Sequence, residues 1–164
     1  MRKSVAAVGT SIFFVLAPGL VAGLVPWWLT GWRMRPTALP LRVVGLVLLA
    51  AGIPVLVSAF VRFVREGAGT PAPVAPTEHL VVGGLYRYVR NPMYLAVLAV
   101  IVGQALLLGQ PRLLVYAAIA GAAMVAFVLG YEEPTLRRQF GPEYDAYRRA
   151  VPGWWPRLRP WRPD

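Results

Sequence analysis

From Met93 to Gly109 the chain reads MYLAVLAVIVGQALLLG, and from Leu113 to Tyr131 it reads LLVYAAIAGAAMVAFVLGY, with only Gln110, Pro111 and Arg112 between them. Neither run carries a formal charge, and neither alternates polar with apolar residues as a barrel strand would. Both approach the ~20 residues needed to cross hydrocarbon as a helix, the form that satisfies every backbone polar group within one segment. The three-residue link predicts a tight antiparallel helical hairpin.

Working outward, two further uncharged runs extend from Ser4 to Leu29 and from Val43 to Val61. The 164 residues are 57% hydrophobic and 15% charged, with a mean hydropathy of +0.56, more apolar surface than one soluble core of this size could hide. The reading is an all-α integral membrane protein with about four transmembrane helices, in which a cytoplasmic loop and the C-terminal tail form the polar site. Residues 1–64 would supply two N-terminal helices, and residues 65–164 a second region comprising the loop, the hairpin 93–131 and the tail. Arg2 and Lys3 ahead of an apolar run resemble a signal peptide, but the run continues to Trp27 and Trp28, so a retained span is expected. Pro18 and Pro54 are expected to kink the first two spans.

With four crossings, one side would carry Arg2, Lys3, Arg62, Arg65, Arg87, Arg90 and the seven arginines from Arg137 to Arg162, thirteen cations in all. The other would carry Arg33, Arg35, Arg42 and Arg112. That asymmetry predicts a multi-pass protein of the cell (inner) membrane with both termini cytoplasmic and with membrane lipids as partners. Nucleic acid is an unsuitable partner, because the arginines flank apolar runs and form no separate basic module. The absence of cysteine excludes disulfides and thiolate ligands, and a single histidine, His79, argues against a metal cluster. Oligomeric state is not legible.

The polar chemistry concentrates at the ends of the hairpin. The segment from Arg65 to Asn91 opens with Gly67, Gly69, Pro71, Pro73 and Pro76, a loop signature, and closes on Asn91-Pro92, a helix start with asparagine as cap and proline in the first turn. The positive end of that helix, beside Arg87 and Arg90, suits an anion; ordinary arginines reaching lipid phosphate would look the same. At the other end, Glu132 and Glu133 sit at the helix terminus that disfavours acids, and Pro134 leaves the Gly130 carbonyl without its usual donor. The pair could receive a cationic group or a hydroxyl, or could simply pair with Arg137 and Arg138. Gln104 is expected to bond another helix. His79 alone reads as an interfacial residue, and Tyr86, Tyr88, Tyr94, Trp154 and Trp155 as an aromatic belt.

The ordered set His79-Leu80-Val81-Val82, Gly84-Leu85-Tyr86, Arg90-Asn91-Pro92-Met93-Tyr94, a hairpin, Glu132-Glu133, and Phe140-Gly141 with Tyr144 and Tyr147 resembles the isoprenylcysteine carboxyl methyltransferase and phospholipid methyltransferase superfamily over roughly residues 77–156. The resemblance implies an S-adenosyl-L-methionine-dependent methyltransferase. Its cofactor site would comprise His79, Leu80, Val81, Val82, Tyr86, Arg90, Asn91, Pro92, Met93, Tyr94, Glu132 and Glu133, and it would act on a lipophilic or small acceptor: an isoprenoid-derived compound, a lipid amine or a thiol. No catalytic residue is assigned, since in-line methyl transfer demands alignment and a dry site more than a base.

Two departures narrow the expectation. Asn91 stands where the eukaryotic members of the superfamily have histidine, and it cannot titrate near neutral pH. Val128 stands where the prenylcysteine enzymes carry an arginine attributed to the substrate carboxylate, so a carboxylate-bearing acceptor loses its clamp. A non-catalytic membrane binding or scaffolding protein retaining the fold is the alternative. A transporter is disfavoured because no span contains a charge.

Overall fold

The computed structural model describes residue 12, residues 16–67 and residues 78–163. Among the described residues the secondary structure is entirely helical and no strand occurs. The elements are α1 (Leu16–Thr30), α2 (Leu39–Gly67), a single 3-10 turn (Gly84–Arg87), α3 (Pro92–Leu108), α4 (Pro111–Phe127), a π-helical turn (Val128–Glu132), α5 (Glu133–Phe140) and α6 (Pro142–Ala150). Residues 1–11 and 13–15, which hold Arg2, Lys3 and the beginning of the expected leading run, and the Gly69–Pro76 part of the loop lie outside the described residues.

The all-α expectation holds, but the number of spans is corrected. Two helices among the described residues are long and apolar enough to cross a membrane, Leu39–Arg62 and the continuous run Pro111–Phe140, rather than about four. Leu16–Thr30 and Pro92–Leu108 fall short. At 1.5 Å per residue Pro92–Leu108 reaches about 26 Å, against a hydrocarbon core of about 30 Å. The multi-pass placement with both termini cytoplasmic falls with the count, because its two-sided tally of cations assumed four crossings. In each of the two long helices only 17% of the apolar window is buried, whereas the core helix of a water-soluble fold would be mostly covered.

The chain divides into two compact units, the first of residues 14–57 and 93–124, the second of residues 1–13, 58–92 and 125–164. In the first, backbones approach closely at glycines. A Cβ on Gly45 would lie 2.5 Å from the Leu107 nitrogen and 2.7 Å from the Gly103 oxygen, and one on Gly103 would lie 2.9 Å from the Gly45 oxygen. Small residues that let two backbones touch are a common device for helix association in lipid. The core gathers Ala22, Val97, Val100, Ile101, Ala105, Leu113 and Ala117.

Polar ties in this unit join side chains to backbone and side-chain groups far away in sequence. Gln104 Nε2 donates to the Ala22 carbonyl at 2.6 Å, and its Oε1 accepts from Trp32 Nε1 at 3.0 Å, as expected of a residue bonding another helix. Gln110, between α3 and α4, donates to the Arg33 carbonyl at 2.6 Å.

A second π turn, Leu20–Leu24, lies within α1, and each of the two precedes a proline. The Val25 N–H reaches Leu20 just before Pro26, and the Glu133 N–H reaches Val128 just before Pro134. Proline lacks a donor and crowds the carbonyl four residues back, so the chain widens by one residue ahead of it. The expected disturbance at Pro134 therefore takes the form of a π turn that carries Glu132 at its end.

Candidate functional site

In the second unit the sequence from Phe140 to Val151 places apolar or aromatic side chains at Phe140, Tyr144, Tyr147 and Val151, a helical stripe interrupted only by the Gly141 turn at φ +51°. Tyr144, Tyr147 and Val151 are buried, and Leu80, Val82, Leu136, Phe140, Ala150 and Trp161 pack around them. Two of the expected site residues, Leu80 and Val82, thus have a firm packing role. Tyr147 donates its hydroxyl to the Tyr86 carbonyl at 2.6 Å, which fixes the 3-10 turn carrying Tyr86. Gly84 takes a positive φ of 57° within that turn, a backbone conformation that side-chain-bearing residues rarely adopt.

Arg90 is the hub. Its Nε donates to the Val151 carbonyl at 2.9 Å, its Nη1 donates to the Tyr144 hydroxyl at 3.1 Å, and Nη1 also pairs with Glu133 Oε1. The second Glu133 oxygen takes Arg148 Nε at 3.3 Å. The Arg90 and Glu133 side chains are 14% and 11% exposed, so their bond is largely screened from water, while Arg148 stays exposed. Glu133 therefore pairs with Arg90 and Arg148, while Arg137 turns to Asp145 at 2.8 Å.

The tail completes the frame. The Arg90 N–H donates to Pro152, the Asn91 N–H and Nδ2 both donate to the Gly153 carbonyl, the Arg157 N–H donates to Tyr88, and the Trp161 N–H donates to Arg87. Arg87 Nε returns a bond to the Trp161 carbonyl at 2.7 Å. Every residue from Arg87 to Asn91 except Val89 is thus tied to the segment 151–161.

The structure accordingly gathers Leu80, Val82, Tyr86, Arg90, Asn91 and Glu133 through one tail and one helix. Val81 is buried near them in sequence, Pro92 is buried at the start of α3, and Glu132 is half-buried on the π turn. His79 is exposed and stands outside the packed cluster. Met93 and Tyr94 are half-buried in the first turn of α3 and fall in the other unit. Sequence reasoning left out Arg148, Val151 and Gly153, and gave Tyr144 and Tyr147 no site role. The stripe Phe140, Tyr144, Tyr147, Val151 was the available signal.

Charge and burial set the protonation of the two tyrosines. Burial, above all, pushes the Tyr144 hydroxyl upward, Glu133 adds to this, and Arg90 opposes it. Burial likewise pushes Tyr147 far above the ordinary phenol range. Both stay protonated at neutral pH and serve as hydrogen-bonding groups rather than bases. A cavity of about 360 Å³ beside the hub is lined by Arg90, Arg137, Asp145, Arg148 and Arg149.

Comparison with known proteins adds three findings. A sequence model of the family described as phospholipid methyltransferase matches residues 41–143, which extends the likeness back through α2, beyond the C-terminal half in which the motifs lie. The chain is similar to the nickel-cobalt-cadmium resistance protein NccN of Alcaligenes xylosoxydans xylosoxydans, with 35% identity over 88 residues, covering 54% of this chain and 41% of that protein. The chain thus spans less than half the length of this curated relative. No solved structure matches.

Proposed function

We infer the function from one premise: the chain belongs to the phospholipid methyltransferase family, whose model covers residues 41–143. A methyltransferase of this family is the general reading, and methyl transfer from S-adenosyl-L-methionine to a lipophilic or small acceptor is the specific one. The observation that carries it is the hub in which Glu133, next to Glu132, is locked to Arg90 of the Arg90–Tyr94 motif. The sequence expectation of an acid pair at a helix C-terminus is corrected, because the helical run continues to Phe140 and Glu133 opens α5; what remains is a carboxylate largely buried against Arg90.

The donor set fits the cofactor chemically. Two adjacent carboxylates suit an ammonium and ribose hydroxyls, and a screened guanidinium suits a carboxylate, as a zwitterionic ligand requires. Arg90, Glu132 and Glu133 would hold the charged end, with Val81 and Tyr86 as apolar neighbours. When bound, the cofactor supplies an electrophilic sulfonium methyl. The chain's part is to bind, to align and to exclude water; Tyr144 and Tyr147, protonated and buried, hold the frame and take no proton. Val128, buried at the start of the π turn, offers no charge to an acceptor carboxylate, which favours an isoprenoid-derived compound, a lipid amine or a thiol.

The same reading places the enzyme at a bilayer, through the two long helices whose apolar faces are mostly uncovered. The metal-resistance name is that relative's own and is not carried to this chain. A non-catalytic role has one observation in its favour, the complete engagement of Glu133 by two arginines.

Calorimetric titration of the detergent-solubilised chain with S-adenosylmethionine decides between them. Binding that weakens in Glu133→Gln is the expected result. Absence of both heat and thermal stabilisation at millimolar cofactor, with folding confirmed, sinks the enzymatic reading.

A further inference from the structure

The tail between Val151 and Pro163 has a second aspect that the hub does not use. Pro152, Pro156, Pro160 and Pro163 keep it out of regular helix, and its backbone bonds to Arg87, Tyr88, Arg90 and Asn91 fix its course. On that fixed track Leu158 is 99% exposed and Trp155 is 79% exposed, the two most exposed large apolar side chains among the described residues. Arg159 and Arg162 beside them are exposed as well, and no acid lies between Val151 and Pro163.

Three features select the occupant. A stable protein interface needs some 20–30 residues a side, whereas only two apolar tips project here. Tryptophan with leucine on a rigid, non-helical turn suits the level of lipid headgroups, where one end of the indole stays wet. Arginines without a counter-charge in the segment suit anionic headgroups.

We propose that the Trp155–Leu158 turn is an interfacial anchor, with both side chains sunk into the headgroup region of a bilayer that contains anionic lipid and with Arg159 and Arg162 against its phosphates. This rests on the bilayer association proposed above and adds to it a specific contact and a lipid charge. Because the same segment holds Arg87 to Asn91 through its backbone, seating the tail on lipid also fixes that motif relative to the membrane surface.

The absence of cysteine makes the test clean. A nitroxide is placed on Pro156→Cys, between the two tips and sparing both, in the full chain reconstituted into vesicles of phosphatidylcholine alone or with phosphatidylglycerol added. Accessibility to oxygen and to a polar nickel chelate reports depth, and a label on Val115→Cys, exposed on α4, reports helix insertion. The expected result is a label shielded from the chelate in the anionic vesicles and exposed to it in the neutral ones. Trp155→Ala with Leu158→Ala should return it to water, and each of Arg159→Gln and Arg162→Gln should lower the inserted-to-exposed ratio about fivefold. A label in water in anionic vesicles while Val115→Cys reports hydrocarbon overturns the anchor and leaves the membrane reading standing; water at both positions overturns both. Equal depth in the two lipids overturns the headgroup role, and dipolar broadening between labels overturns the anchor in favour of a second copy.

Discussion

The two units are built on opposite principles. In the unit of residues 14–57 and 93–124, glycines and alanines bring helix backbones into contact, and polar groups appear as isolated bonds such as Gln104 to Ala22. In the unit holding Arg90, a screened arginine–glutamate pair, two buried tyrosines and a backbone-stitched tail supply the cohesion, with apolar packing gathered around the tyrosines. The difference separates scaffold from chemistry. Close helix packing needs small side chains and little else, while a site for a charged ligand needs charges already held in place.

The hub is the most fragile point of that contrast. Glu133→Ala leaves the Arg90 guanidinium, 14% exposed, without its main counter-charge, and should destabilise by about 3–5 kcal/mol. Hydrogen exchange resolves where the loss falls. Faster exchange is expected at the amides of Arg90, Asn91 and Arg157, and unchanged exchange through Val97 to Ala105. Equal loss in both segments would abolish the contrast. The glycine contact tests the other side. Gly45→Ala puts a methyl 2.5 Å from the Leu107 backbone nitrogen, where no flexible side chain can yield, and should cost about 1–3 kcal/mol in thermal unfolding. A neutral Gly45→Ala would mean that the close approach contributes nothing.

Much of the first unit was legible in the sequence, and much of the second was not. The apolar runs, the hairpin link at Gln110, the helix start at Pro92 and the partner-seeking role of Gln104 all follow from local composition and capping. The number of spans did not follow. Apolar run length ignores where a helix stops, and α3 ends at Leu108 with Gly109 left-handed at φ 65°, too short by a few residues. In the site, the acid pair was visible, but the helix expected to end there continues to Phe140, and the partner of Glu133 was not visible. Arg90 lies 43 residues from Glu133, and only the fold of the tail brings them together. The amphipathic helices α5 and α6 were overlooked because tyrosine, rather than leucine or valine, marks much of their buried stripe. Leu80 and Val82, expected as cofactor contacts, also pack against the tyrosine cluster, a role that the sequence does not reveal.

The smallest effect sharpens the comparison furthest, because it isolates one bond. Tyr147→Phe removes a buried hydroxyl that donates to the Tyr86 carbonyl at 2.6 Å, at a cost of about 1–2 kcal/mol by thermal or denaturant unfolding at pH 7. The same substitution changes the response to alkali. Burial raises the Tyr147 pKa above its ordinary value of 10.0, so the folded state keeps a proton that the unfolded chain releases. Stability tied to this group is full below about pH 10 and falls as pH rises above it, because only the unfolded state gains by ionising. The wild type should therefore lose stability in the second unit above pH 10, and Tyr147→Phe should lose it less steeply, with Tyr144 accounting for part of what remains. Parallel alkaline curves for the two proteins would show that Tyr147 is reached by water in the folded state, and the claim that this unit holds its frame dry would fail with it.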